Sequence, residues 1–315
     1  MQLIGIDIGG TKISVCLGDS EGRILSSRRI ATQPLGGGAQ GLPAIAHEIE
    51  KLQVNWDEIA AIGISSPGPV STKEGIMLAP PNLKGWERAP LVSFFADRFQ
   101  RNVFMNHDAK AAALAEYLFG HAKGTANLVY LTTSTGMGGG AIVNGRLIQG
   151  ASDTATEVGH YILDPNGPVC PCGQRGCFEA FCGGAVLAQR MQKEIQLNQI
   201  DTAVLHEAKG DLAKIDATCL IRAVKKSDPY ALTIWSEFIE RLAQGIGIVL
   251  MAFNPEAIIL GTMAKHAGDH LFDPLKQALP RFAWKEPLAA CRIEASQLQA
   301  LSELSGIAVA LTGIR

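Results

Sequence analysis

Three thiols fall within eight residues in Cys170-Pro171-Cys172-Gly173-Gln174-Arg175-Gly176-Cys177. Thiols at that density, with glycines that let the chain turn sharply between them, suit a tetrahedral Zn2+ ion. Such a site needs a fourth ligand, and His160 and Cys182 are both candidates. A second chemistry is suggested twice. In Asp7-Ile8-Gly9-Gly10-Thr11-Lys12 two glycines allow a tight turn that brings backbone N–H groups against a phosphate. Thr11 adds a hydroxyl donor and Lys12 a cation, and Asp7 is suited to hold Mg2+ through water. This is not a Walker A loop, which needs Gly-Lys-Ser/Thr after a four-residue gap. The run Thr132-Thr133-Ser134-Thr135-Gly136-Met137-Gly138-Gly139-Gly140 repeats the combination of hydroxyls and flexible amides. Asp108 supplies a third chemistry. A carboxylate just ahead of a helix is an ordinary N-cap, but the helix N-terminus also keeps it ionised, ready to accept a hydroxyl proton. Glu157 and His160 flank Gly159, and Glu179 follows Cys177 closely. Packing is the default role for each, and their proximity to the thiol run raises them.

These residues need elements to position them. Residues 3–8, 13–17 and 23–30 read as three strands around the Gly9–Gly10 turn, with Asp19-Ser20-Glu21-Gly22 as a further turn. The pattern recurs in the second half: a strand over 127–132, the glycine turn, a strand over 140–143, an Asn144-Gly145 turn signal and a strand over 146–149. Such a repeat predicts two similarly built lobes. A helix is expected over 42–52, a buried strand over 60–64, an Ala-rich helix over 109–119 and a strand over 257–261. From Phe178 onward helical patterns dominate, and 298–311 is again helical. Alternating strands and helices argue for mixed α/β sheets with crossovers. The lobes are expected at 1–120 and 121–297, with the helix over about 298–315 returning to the first.

The chain has 315 residues, more than one core usually organises. Hydrophobic residues make up 47% and charged residues 18%, an ordinary globular balance that sets disorder aside. A net charge of −2 gives no basic excess for nucleic acid. The longest apolar stretch, 245–253, falls far short of the roughly 20 residues that span a bilayer. No basic leader precedes the first strand. Seven cysteines without a leader argue against a disulfide framework and for a cytoplasmic protein.

In order, Asp7-Ile8-Gly9-Gly10-Thr11-Lys12, the Ser/Thr-Gly-x-Gly-Gly-Gly turn, Glu157-x-Gly-His160 and Cys-x-Cys-Gly-x-x-Gly-Cys-x-Glu resemble the ROK family of repressors and sugar kinases, above all its bacterial glucokinases. The resemblance implies an actin-like ATPase fold of two ribonuclease-H-like lobes with ATP and sugar in the cleft between them. It implies His160, Cys170, Cys172 and Cys177 as ligands of a structural zinc, and Asp108 as catalytic base. It implies Gly68, Asn82, Asn106, Glu157, His160 and Glu179 as sugar contacts. ATP and Mg2+ would be held by Asp7, Gly9, Gly10, Thr11, Lys12, Thr133, Ser134, Thr135, Gly136 and, near the adenine, Gly261. It also implies a homodimer that transfers phosphate from ATP to the 6-hydroxyl of a hexose, glucose first, with N-acetylglucosamine or N-acetylmannosamine as alternatives. A sugar-responsive repressor is a further alternative, although such proteins carry a DNA-binding segment ahead of the first strand, and here that strand begins at Leu3. The sequence departs from the pattern at Ser134, at Thr156 where glycine usually precedes Glu157, and at Thr262.

Overall fold

The computed structural model describes every residue except Asn82 and Arg315. The chain forms two compact units, Met1–Gly124 with Arg146–Ala155 and Leu298–Arg315, and Thr125–Gly145 with Thr156–Gln297.

The first unit opens with β1 (Gln2–Ile8), β2 (Lys12–Asp19) and β3 (Ile24–Ala31), an antiparallel meander. Helix α1 (Gly38–Glu50) leads to β4 (Ile59–Ser66), the short hairpin β5 (Val70–Ser71) and β6 (Ile76–Met77), helix α2 (Leu91–Phe99), β7 (Val103–His107) and α3 (Asp108–Phe119). The sheet order is β3-β2-β1-β4-β7, with β1, β4 and β7 parallel. Continuous apolar runs build β1 and β4 because both their faces are covered. One face meets α1 and α2 through Ile4, Ile6, Ile62, Ile64, Ile45 and Phe95. The other carries Leu3, Cys16 and Ala61 against Ile307, Ala310 and Leu311 of the last helix.

The second unit repeats the plan. Strands β8 (Leu128–Thr133) and β9 (Met137–Val143) form a hairpin, and the short β10 (Arg146–Leu147), which belongs to the first unit, follows in sequence. Helices α4 (Phe178–Cys182), α5 (Gly184–Asn198), α6 (Ala203–Glu207), α7 (Ala217–Lys225) and α8 (Pro229–Phe253) come next, then β11 (Ala257–Leu260). Strand β11 runs parallel to both β8 and the later β12 (Arg292–Ala295). Helices α9 (Thr262–Ala267), α10 (Asp269–Ala278) and α11 (Lys285–Ala290) lie between those two strands in sequence. Helix α8 is started by Asp228, whose carboxylate accepts from the N–H of Ala231 at 2.8 Å, with Pro229 at the first turn. Ile234, Phe238, Leu242 and Val249 recur along it at helical spacing and enter the core. Each unit is thus a hairpin extended by parallel strands, the ribonuclease-H-like plan, and two such units make the actin-like ATPase fold. No helix among the described residues is long and apolar enough to cross a membrane.

Helix α12 (Leu301–Gly313) is the last element of the first unit, and its seating depends on missing side chains. A Cβ on Gly63 of β4 would lie 2.1 Å from the carbonyl oxygen of Gly306, and a Cβ on Gly306 would lie 2.6 Å from the amide of Ile6. Helix and sheet therefore touch backbone to backbone. Gly63→Ala is expected to cost roughly 3 kcal/mol, because neither main chain can yield as a side chain would. A melting temperature unchanged from wild type would refute that close approach.

Candidate functional site

In the first unit, register brings the candidate residues to one edge. Asp7 pairs with Ser65 across β1 and β4, and Ser65 pairs with Asn106 across β4 and β7. All three stand at the carboxyl ends of parallel strands, where open α/β sheets bind ligands. The Ser65 hydroxyl donates to Asp7 Oδ1 at 2.6 Å. The Gly9-Gly10-Thr11 turn follows directly. Its Gly9 N–H donates to the Lys12 carbonyl at 3.0 Å, and the Thr32 hydroxyl donates to the Gly9 carbonyl at 2.7 Å. Gly9 and Gly10 are half-buried, while Thr11 and Lys12 are exposed.

Asp108 is the first residue of α3 rather than the residue before it. Its carboxylate accepts from the adjacent Ala109 N–H at 2.6 Å, and the capping position belongs to His107. Asp108 is thus not the N-cap that its place in the sequence suggested, because β7 runs on through His107 without a turn. The side chain is 50% exposed, and His107 Nε2 lies 3.2 Å from its Oδ1. The His107 ring packs on Gly68, where a Cβ would come within 2.7 Å of Cδ2. Asn106 is buried, and its Oδ1 accepts from the His107 N–H at 2.9 Å. Asn82 lies outside the described residues.

In the second unit the Ser134–Gly136 turn joins β8 to β9. Ser134 and Thr135 are exposed, Thr133 is buried and Gly136 half-buried. Gly261 is buried between β11 and α9. Glu157 begins a short helical turn, Val158–His160. Just before it, Thr156 has φ +65°, a left-handed conformation that a β-branched residue rarely adopts. The departure from glycine noted in the sequence therefore falls where glycine fits most easily. The Thr156 hydroxyl donates to the Gly139 carbonyl at 3.3 Å.

His160, Cys170, Cys172 and Cys177 bring one donor atom each to within 4.8 Å of one another. Cys172 Sγ and Cys177 Sγ are 3.7 Å apart, and Cys170 Sγ is 3.8 Å from His160 Nδ1. Bonds of about 2.3 Å to zinc at a tetrahedral angle place sulfurs roughly 3.8 Å apart, so the donors fit such an ion. The loop is shaped for this. Gly176 has φ +69°, and a Cβ on it would strike the Asp164 carbonyl at 1.5 Å. Cys182 is fully buried, with its thiol directed at the Phe238 carbonyl 3.8 Å away. Glu179, in the first turn of α4, accepts from the Met137 N–H through Oε2 at 2.7 Å, and its Oε1 lies 3.9 Å from Cys170 Sγ.

Four residues in these surroundings carried no readable signal. Ser65 and Thr32 look like ordinary small polar residues. His107 follows Asn106 without a motif of its own. Lys110 is wholly buried in α3, and its ammonium donates to the Gln149 and Asp153 carbonyls at 3.1 and 2.6 Å. A groove lined by Phe181, Arg190, Glu237 and Arg241 in the second unit contains none of the candidate residues. Arg190 is paired there with Glu237 at 2.6 Å, as expected of a packed ionic surface.

Burial pushes the Asp7 carboxyl up to about 6 from its usual 3.8, against the Ser65 hydrogen bond, and the Asp108 charge adds to the rise. The ionised carboxylate is therefore the penalised form. The penalty is absent below pH ~4, grows as pH rises, and is complete above pH ~6. Asp7→Asn is expected to stabilise the protein by about 3 kcal/mol at pH 7.5 and by little at pH 4. Denaturant titrations at both pH values check this. Equal stability of the two proteins at pH 7.5 would refute it.

The sequence profile of the ROK family matches residues 3–312. A glucokinase of Thermotoga maritima is 32% identical over 298 residues, covering 95% of this chain and 93% of that protein. A xylose repressor of Caldicellulosiruptor bescii is 28% identical, covering 95% of this chain and 75% of that protein. The structure of a ROK family glucokinase from Streptomyces griseus, in complex with glucose and AMPPNP, superposes with a TM-score of 0.82 at 30% identity, covering 98% of each chain.

Proposed function

The chain belongs to the ROK family, and from that membership and the sites above we propose that it is an ATP-dependent hexose kinase that converts glucose to glucose 6-phosphate. The reading is supported by relatives named as glucokinases and by a structural neighbour holding glucose and an ATP analogue. The observation that carries it is Asp108. Its carboxylate is half exposed at the strand-end edge, with one oxygen on the Ala109 N–H of the first turn of α3.

Phosphoryl transfer asks a protein for positioning and charge neutralisation more than for covalent chemistry. Asp108 orients the 6-hydroxyl of the sugar and accepts its proton as the oxygen attacks the terminal phosphorus of ATP, while the bond from that phosphorus to the β,γ-bridging oxygen breaks and ADP leaves. The turns Gly9–Lys12 and Thr133–Gly136 cradle phosphate oxygens with amides and hydroxyls, and Gly261 lies by the adenine. Asp7 is suited to hold Mg2+ through water, and that ion would neutralise phosphate charge. Gly68, Asn82, Asn106, Glu157, His160 and Glu179 contact the sugar. His160, Cys170, Cys172 and Cys177 hold a structural zinc, which supplies rigidity to their loop and takes no part in the transfer. The enzyme works as a homodimer in the cytoplasm, where its ATP is made.

Three measurements test this. A coupled ATP assay over a panel of hexoses and 2-acetamido hexoses should give the highest kcat/KM with glucose. A preference for a 2-acetamido sugar would reassign the substrate. Elemental analysis of protein purified without added metal should find one zinc per chain, and a value well below that would reject the metal assignment. Asp108→Asn keeps the side chain's size while removing the proton acceptor, so turnover should fall by roughly 10² to 10⁴ with the melting temperature nearly unchanged. Retention of more than about a tenth of wild-type turnover would reject Asp108 as the base.

A further inference from the structure

Glu179 is held by contacts that a sugar ligand would not need. Its Oε2 accepts from the Met137 N–H at 2.7 Å, at the point where the glycine turn enters β9. A Cβ on Gly136 would lie 2.4 Å from that same oxygen, so the carboxylate rests directly on the turn. Two further bonds come from the chain just after α4. Gly184 N–H donates to the Ser134 carbonyl at 2.9 Å, and Ala185 N–H donates to the Thr135 carbonyl at 2.8 Å. The Glu179 carbonyl accepts from Gly183 N–H at 2.7 Å, which ties those donors to the same helix. On its other side, Glu179 stands two residues after Cys177, the residue that precedes α4 and belongs to the His160–Cys170–Cys172–Cys177 cluster.

We propose that Glu179 is a positioning residue through which the metal cluster holds the Ser134–Gly136 turn in its polyphosphate-binding shape. The cluster fixes Cys177, Cys177 fixes the start of α4, and Glu179 carries that position to Met137 and Gly136. A carboxylate beside a phosphate site would repel its ligand if it were free. Committed to an N–H donor, it instead holds the turn, and a bond to a charged acceptor is stronger than a neutral one. The inference rests on the reading of this turn as a phosphate loop. It adds that the metal acts on nucleotide binding, and so reaches beyond the loop that carries His160.

The test is ADP and AMP binding by calorimetry, without sugar, on full-length protein whose zinc content and melting temperature are measured. Glu179→Ala is expected to weaken ADP binding about tenfold, the size of one lost hydrogen bond to a charged group, while AMP changes less than twofold. Glu179→Gln should restore most of the loss, because its amide oxygen can accept from the same N–H. Removing the metal from wild-type protein with a chelator should weaken ADP to a similar degree, and removing it from Glu179→Ala should add little, since both changes release the same turn. If Glu179→Ala melts early, Glu179→Leu keeps the bulk without the acceptor and replaces it. Thr135→Glu places a negative charge in the turn and reports on the phosphate reading alone. If Thr135→Glu weakens ADP and Glu179→Ala does not, the coupling through Glu179 is overturned while the phosphate loop stands. If Thr135→Glu leaves ADP unchanged, the phosphate reading fails, and the coupling fails with it.

Discussion

The contact on which the first unit depends is the backbone approach of α12 to β1 and β4. Glycines at Gly5, Gly63 and Gly306 remove the side chains that would hold helix and sheet apart. The helix then covers the face opposite α1 and α2, and β1 and β4 become strands buried on both sides. That burial makes their parallel register costly to shift, because a slip of one residue would exchange the two faces of each strand. The register sets Asp7, Ser65 and Asn106 in one row. Helix α12 also brings Glu303 under the sheet, where Ser14 and Arg29 bind its carboxylate at 3.0 and 2.7 Å. The chemistry at the strand ends is thus held in place by a helix formed from the last residues of the chain.

The second unit solves a different problem. Its glycine turn has little side-chain mass of its own with which to hold a shape. The shape comes from outside, through the Glu179 carboxylate and the amides of Gly184 and Ala185. Those donors and acceptors belong to α4 and α5, and α4 is anchored by Phe178 in the core that α8 also fills. The thiol loop adds a second anchor at Cys177. A glycine-containing turn is thus held in one shape by its neighbours, at a cost in chain entropy met on folding.

Much of this was legible in the sequence because it rests on short-range chemistry. Clustered thiols with glycines between them can converge through local turns alone, and the structure gathers His160, Cys170, Cys172 and Cys177 within 4.8 Å. Gly-Gly-Thr between apolar runs means a tight turn. The repeated strand–turn–strand pattern gave the doubled architecture, since hydrophobic periodicity is local. The family resemblance rested on the same residues. Local reasoning erred at the ends of elements: the helix expected over 42–52 begins at Gly38, and the strand expected over 140–143 begins at Met137. Asp108 stands at the start of a helix, but β7 continues through His107, and only the backbone trace shows which residue takes the capping position.

The sequence by itself determined which groups exist and the local turns that carry them: the thiol run, the two glycine turns, a carboxylate at a helix start. Tertiary structure decided what each group faces. It buried Asp7 beside Ser65 and so raised its carboxyl to about 6. It set the His107 ring 3.2 Å from Asp108, sank the Lys110 ammonium onto the carbonyls of a distant segment, and engaged Glu179 with the Met137 amide. It chose His160 over Cys182 as the fourth member of the donor cluster, by burying the Cys182 thiol against α8. The physical reason is that solvation and long-range pairing depend on which surfaces meet. A residue's type sets the charge it can carry and the bonds it can make, while packing sets whether water, a hydroxyl or another charge stands beside it.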